Sequence, residues 1–487
     1  MRAIDLGVIL LYLVGITWFG ARFRKSQHSL RDYFLGGQKS PWWAIAFTIV
    51  SAETSTLTVI GTPALSFGGN FGFLQVVFGY LLARIVISFL FLPHYFKGDL
   101  FTAYELMQRR FGVRLRKLTA GLFLILRALA EGVRVFAISI VISVILGTGE
   151  MASIAAIVGL TLFYTFHGGM TAVIWTDVVQ MILYIAGALV SLFVMLGQIP
   201  EGWPYVARLA SEAGKFQVFD FQFAFSREFF STTYTFWAGV LGGCFLTTAS
   251  HGTEQMLVQR LLSARNQRDA RTALFASWAV ICFQFTLFLV IGLILWVYYR
   301  DTGLAVPEKL DRIYPQFIWD HLPVGAAGLI MAAVLAAAMS NLSSALNSLA
   351  STSIMDFYKL RAGHHPEAHY LRMARLATLV WGVVMFGIAY VARHVDSVLE
   401  AGLGIASILY GALLGVFLLG VLTRRVSERA AMAGMLAGFS VNMYVRFGTT
   451  VAWTWYVLIG TLVTAGVALA AALVLGDFRK QEEQPGE

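Results

Sequence analysis

Two cysteines in 487 residues, and charge on only 13% of them, remove several protein classes at once. Cys244 and Cys282 both fall inside apolar runs, so neither a disulfide framework nor a thiolate metal site is expected. A soluble chain of this length would carry about twice the charge. Long polar stretches are also missing. The longest connection, about 199–231, is too short for a soluble receptor or signalling domain. A membrane acyl- or glycosyltransferase would want clustered His and Asp or a metal constellation at one membrane face. None is visible, so no enzyme is expected and no catalytic residue is assigned.

What is present is apolar sequence. Hydrophobic residues make up 58% of the chain. Runs of about 20, each long enough for a bilayer core of about 30 Å, recur throughout. Thirteen spans are expected, near 4–21, 42–65, 72–95, 118–146, 151–167, 175–198, 232–256, 273–298, 324–352, 374–392, 398–420, 430–447 and 452–475. The first, with Asp5 near its start and no small-residue cleavage site, reads as a retained helix. The net charge of +9 invites a nucleic-acid partner, but its placement argues for topology. Of 36 Lys and Arg, 24 lie in alternate connections (22–40, 96–117, 257–272, 353–375, 421–429) and the tail. The positive-inside rule makes those the cytoplasmic side, with the N-terminus outside and the C-terminus in the cytoplasm. A multi-pass protein of a bacterial inner membrane is expected, with lipid and a small solute as partners and no nucleic acid. A monomer or weak oligomer is expected.

One apolar run is unlike the rest. Met331–Lys359, MAAVLAAAMSNLSSALNSLASTSIMDFYK, carries Ser340, Asn341, Ser343, Ser344, Asn347 and Ser348. Hydrocarbon does not solvate such groups. Helical spacing puts Ser340, Ser344 and Asn347 on one face, with Asn341 and Ser348 beside it. Serine-glued packing of small residues would account for the segment alone. Clustered neutral oxygens also suit a hard cation such as Na⁺. Two other runs look set to break in mid-membrane. Trp42–Gly69 holds Glu53 and many hydroxyls between Thr48 and Thr62, then Pro63. Phe236–Arg260 holds Gly239, Gly242, Gly243 and Gly252 before a polar Ser250–Gln255. They are five spans apart, the spacing of first helices in inverted five-helix repeats.

Leu92–Phe111 (LPHYFKGDLFTAYELMQRRF), Tyr164–Gln180 (YTFHGGMTAVIWTDVVQ), the Ser/Asn-rich segment and Gly411–Gly420 (GALLGVFLLG) carry a resemblance to a known family. In that order and spacing, the chain resembles the sodium:solute symporters, which include sodium/glucose, sodium/proline and sodium/sialic acid cotransporters. The resemblance implies an all-α membrane protein with inverted five-helix repeats of the leucine-transporter fold and one extra N-terminal helix. Residues 1–40 would be that helix and its loop, 41–200 and 201–420 the two repeats, and 421–487 two further helices and the tail. Such proteins use inward Na⁺ movement to import a small polar organic solute by alternating access. The solute classes are a sugar, a sugar acid such as sialic acid, or an organic or amino acid.

The resemblance also implies sites. The shared sodium site falls on the side chains of Ser340 and Asn341 and the carbonyls of Ala337, Phe47 and Val50. The family usually has Ser or Thr at position 341, and Asn still offers a neutral oxygen. Asp177 with Ser343 and Ser344 matches the second sodium site of some members, although an interfacial helix-capping Asp would read the same way. Sodium is the only metal expected. For the solute, Ser51 and Thr54 match contact positions, and Glu53, Gln75, His251 and Glu254 are the other polar candidates. Arg127 and Glu131, four apart, make a local pair. That leaves Arg134 as an anchor for a carboxylate, unless acids elsewhere neutralise both arginines. Glu105 with Arg109 and Arg110 is expected to form ion pairs around a gate. Proton coupling through Glu53, Glu131 or Asp177 is the alternative within the same fold. A channel or a transporter-derived sensor is the alternative outside it.

Overall fold

The computed structural model describes residues 3–23, 28–98, 100–146, 150–307, 310–361, 365–392 and 398–477. The long helices, numbered here in chain order, begin with α1 (Ala3–Ala21), the bent pair α2 (Trp42–Glu53) and α3 (Thr56–Gly68), and α4 (Leu74–Val86). The short α5 (Ala103–Arg110) leads to α6 (Val113–Leu146) and α7 (Glu150–Gly197). A second interrupted pair follows, α8 (Phe236–Gly252) and α9 (Gln255–Leu262), then α10 (Gln267–Thr302) and α11 (Ala326–Thr352). The chain closes with α12 (Glu367–Ala392), α13 (Val398–Leu422), α14 (Glu428–Gly448) and α15 (Tyr456–Val474). Each expected apolar run overlaps one of these helices or one of the two interrupted pairs. Among the described residues seven helices, and α2 with α3 as one bent span, are long and apolar enough to cross a bilayer. The runs 151–167 and 175–198 share α7, which is kinked at Gly169, where φ is 53° and ψ −150°. That conformation is open to glycine and costly for other residues.

The two breaks have local causes. Thr54 and Ser55 adopt extended backbone and turn the chain by 66° between the halves of the first core helix. Ser55 restarts the helix with its N–H donated to Thr58 Oγ1 at 3.3 Å. In the second pair, α8 starts on Thr235, whose hydroxyl accepts from Ala238 N, and ends at Gly252. The extended Glu254 precedes α9. Both breaks leave polar backbone within the bilayer span, and α11, between them, buries it. α8 lies directly on α4. A Cβ on Gly79 would stand 2.8 Å from Cys244 N, and one on Gly239 2.7 Å from Gln75 Cβ, so glycine is what permits the approach. Asp5 of α1 is buried, and its Oδ1 accepts the N–H groups of Gly325 and Gly328 at 2.7 Å each, capping α11. Leu11, Val383 and Val474 are 76%, 72% and 88% exposed, an outer face suited to lipid.

Candidate functional site

The oxygen-rich face of α11 meets the break in the first core helix. Ser340 Oγ lies 2.6 Å from Ser51 Oγ and donates to Asp177 Oδ1 at 2.7 Å. One residue on, Asn341 donates through Nδ2 to the carbonyl of Thr54, at the unwound point. Ala337 lies one turn earlier on α11; Phe47 and Val50 lie in the last turns of α2, and the Val50 carbonyl accepts the Thr54 N–H at 2.8 Å. The five residues expected around one sodium ion are thus brought to the contact of α11 with the end of α2. Ser51, expected to touch solute, is instead held on Ser340. Thr54 is held by Gln284, its hydroxyl donating at 3.1 Å and accepting at 2.8 Å.

Asp177, on α7, is fully buried. Its Oδ2 accepts from Thr48 Oγ1 and, at 3.1 Å, from Arg260 Nη2. The same Nη2 donates to Ser344 Oγ. Ser343 is not turned to this carboxylate and donates to the Ser340 carbonyl at 2.9 Å. The expected trio of Asp177, Ser343 and Ser344 therefore contains a guanidinium that the sequence reading left in a cytoplasmic loop. The signal that locates it is the apolar run around it, QMLVQRLL, which continues the interrupted helix; α9 is buried along its whole length.

A cavity of about 420 Å³ lies beside the break. Four expected solute residues line it: Glu53, His251, Glu254 and Arg134. They are joined by Arg127, Thr58, Thr62, Thr247 and Tyr410 and by the rings of Phe73, Tyr80, Tyr234 and Phe285. Ser51, Thr54 and Gln75 are not among its walls. Gln75 is tied to the connections before α4 and α8, donating to Gly72 O and Tyr234 O at 3.1 Å and accepting from Asp220 N at 3.0 Å.

The charges around the cavity are matched. Glu53 Oε2 takes Arg84 Nη2 at 2.9 Å and stands 3.2 Å from His251 Nε2. Glu131 Oε1 takes both Arg127 and Arg134 at 2.5 Å, and Glu254 stands 3.5 Å from Arg127. The expectation of one leftover guanidinium on this helix is corrected by Glu254. That acid comes from the α8–α9 break, which spacing along a single helix cannot reveal. Tyr410 donates to Glu254 at 3.1 Å and completes the group.

On the side expected to be cytoplasmic, Arg116 is the hub. It reaches Asp356 Oδ1 at 2.6 Å, Glu105 at 3.2 Å and the Met355 carbonyl at 2.8 Å. Glu105 thus pairs with Arg116, while Arg110 donates to the carbonyls of Thr423 and Val426. The network fastens the start of α6 to the segment following α11.

Two interrupted helices facing one oxygen-rich helix, beside a polar cavity, define an ion-coupled transporter of the leucine-transporter fold. The profile of the Sodium:solute symporter family matches residues 33–438, and the chain belongs to that family. Among its relatives is the sodium/sialic acid symporter NanT of Aliivibrio fischeri, 27% identical over 95% of this chain and 91% of that one. Human sodium-coupled monocarboxylate transporter 2 is 26% identical over 89% of this chain and 70% of its own. A solved substrate-bound, outward-open Na⁺-coupled sialic acid symporter superposes with a TM-score of 0.88 at 26% identity, covering 97% of both chains. A structure of Mhp1, at 16% identity and a TM-score of 0.60, shares the fold. The chain is a sodium-coupled symporter and not an enzyme.

Proposed function

We propose that this symporter carries a small polar organic solute inward, coupled to Na⁺ held at the junction of α2 and α11. The observation that carries the reading is the convergence of Ser51, Ser340 and Asn341 on the Thr54 break, beside the cavity. An unwound turn frees carbonyls, and helix dipole ends add partial charge, so a weakly held hard cation is satisfied there by neutral oxygens. Phe47, Val50 and Ala337 supply carbonyls, and Ser340 and Asn341 supply side-chain oxygens. The solute occupies the neighbouring cavity against Glu53, His251, Glu254 and Arg134. Its classes are those of a sugar, a sugar acid such as sialic acid, or an organic or amino acid; the sialic acid and monocarboxylate relatives fit within them. The N-terminus faces outward and the C-terminus the cytoplasm, as the Lys and Arg distribution supports.

Uptake by proteoliposomes under separately imposed Na⁺ and H⁺ gradients tests the coupling. A Na⁺ gradient drives accumulation and an H⁺ gradient alone does not. Unchanged Na⁺ dependence in a well-folded Ser340→Ala, Asn341→Ala double variant would falsify the site.

A further inference from the structure

The connection between α7 and α8 carries FDFQFAF over 219–225, in which every second residue is phenylalanine. From Gln217 to Ala224 the chain is neither helix nor turn. Rings two apart meet: Phe219 stacks on Phe221 with centroids 5.6 Å apart, and Phe225 meets Phe223 edge-on at 5.2 Å. The four rings therefore share one side of the segment. In chain order they are 42%, 63%, 59% and 86% exposed. A contiguous apolar patch of this kind marks an interaction surface.

The rings continue onto three helices. Phe219 stacks on Phe78 of α4 at 5.7 Å, and Phe223 meets Trp237, in the first turn of α8, at 5.6 Å. Phe229, packed on Phe223, leans on Trp455 just before α15. The result is an aromatic belt at the rim where α4, α8 and α15 begin. Leu82, Leu241 and Leu462 are exposed further along the same helices. They stand four, four and seven positions beyond Phe78, Trp237 and Trp455, on the same helix faces. The belt is thus the upper edge of an apolar surface that faces lipid.

We propose that Phe219–Phe225 is a membrane-seated strap, its rings lying among the glycerol and upper acyl groups of the phospholipid leaflet at this rim. Aromatic side chains concentrate at that level of a bilayer. Little in the segment holds it in water. Asp220 is the one charge between Phe216 and Ser226, and its Oδ1 turns back to accept Gln222 N at 3.0 Å. The rings run on into helix faces that already meet lipid, which favours lipid over a second copy of the chain as their partner. The inference does not depend on which ion or solute is carried.

The strap is also fastened to helices that wall the cavity. Asp220 N donates to Gln75 Oε1 on α4 at 3.0 Å, and the Asp220 carbonyl accepts Phe236 N at the start of α8 at 2.7 Å. Ahead of the rings, the buried Lys215 donates through Nζ to the carbonyls of Ser66, Phe67 and Gly69 at 3.1, 2.8 and 2.9 Å. It closes the C-terminal end of α3. α3 presents Thr58 and Thr62 to the cavity. Lipid that holds the rings therefore steadies the end of a helix against which the solute lies.

Photolabelling of the unsubstituted protein tests the strap. The probe is a phospholipid with a diazirine near the carbonyl end of one acyl chain, doped into proteoliposomes of phosphatidylethanolamine and phosphatidylglycerol. Trypsin cuts after Lys215 and Arg227, which isolates the rings on the peptide 216–227. Light should place lipid adducts on that peptide and on 447–479, which holds Leu462, and leave 209–215 unlabelled. Adducts on 447–479 alone would put the belt in water or against protein and overturn the proposal. Phe221→Asp with Phe223→Asp should abolish the label on 216–227 and spare that on 447–479. Undiminished label on 216–227 in that folded variant would mean that the rings do not seat the segment, and overturns the proposal too. A nitroxide at Phe223→Cys, with Cys244→Ala and Cys282→Ala, separates lipid from a second copy. Dissolved oxygen should reach it more often than a water-soluble nickel chelate does. Poor access for both reagents would place protein over the rings and overturn the lipid assignment.

Discussion

At the scale of single residues, Ser340 is the centre of the oxygen cluster, with Ser51 on one side and the Asp177 carboxylate on the other. Ser340 and Asn341 announce themselves because hydroxyl and amide oxygens in an apolar run demand a partner, and both point at the break in the first core helix. Arg260 is hidden in the sequence because a basic residue near a span end has the look of a loop charge, whereas it lies on a fully buried short helix. The charge balance around Arg127 and Arg134 is hidden for a related reason: spacing along one helix shows Glu131 and hides Glu254, which comes from the α8–α9 break. The residue-scale prediction concerns Ser340, which stands between Ser51 and Asp177. Ser340→Ala removes one oxygen ligand and the Asp177 bond, so the Na⁺ concentration for half-maximal uptake should rise about fivefold or more, taking a lost ligand at about 1 kcal/mol. Uptake assays across a Na⁺ series check it, with expression and solute saturation held. An unchanged half-saturation in folded protein removes Ser340 from the site.

At the scale of elements, composition found both interrupted helices, because hydroxyls, Gly and Pro in a membrane span have few other uses. It does not show how closely α4 and α8 pack. α4 and α8 touch through glycines, and such contact depends on what lies opposite, which one strand of sequence does not display. Glycine content alone is a poor guide here: Gly159 on α7 has open space around it, while Gly79 has Cys244 N at 2.8 Å from a built Cβ. Gly79→Ala should therefore force the helices apart and lower stability by about 1–3 kcal/mol, the usual cost of overpacking. Gly159→Ala is the control and should be neutral or slightly stabilising, as alanine favours helix. Thermal unfolding of the two variants in the same detergent compares them. Equal melting temperatures would mean that the α4–α8 contact is loose.

At the scale of the whole molecule, the organising feature is charge closed on itself within the membrane. Arg84, Arg127 and Arg134 answer Glu53, Glu131 and Glu254 around one cavity, and these pairs link the first core helix, α4, α6 and the α8–α9 break. A buried pair contributes little net stability, yet removing one partner strands a charge at a cost of about 3–5 kcal/mol, so the network fixes which helices face the cavity. It also constrains the solute. A neutral polyol enters without disturbing any pair. A carboxylate must win a guanidinium from Glu131, and Arg134 is the one placed to give way: its side chain is 18% exposed against 5% for Arg127, and it shares a single carboxylate oxygen. An acid would then be held by Arg134 in the bidentate manner guanidinium permits, its charge balanced by the Na⁺ that enters with it. Thermal stabilisation in Na⁺ buffer, screened with sialic acid, short monocarboxylates, amino acids, hexoses and myo-inositol, separates the two cases. Acidic solutes should raise the melting temperature in wild type and lose that effect in Arg134→Ala, where any neutral solute that binds keeps its own. Stabilisation by a neutral sugar alone, preserved in Arg134→Ala, would show that the guanidiniums serve only to hold the helices and that the solute is read by the hydroxyls and rings of the cavity wall.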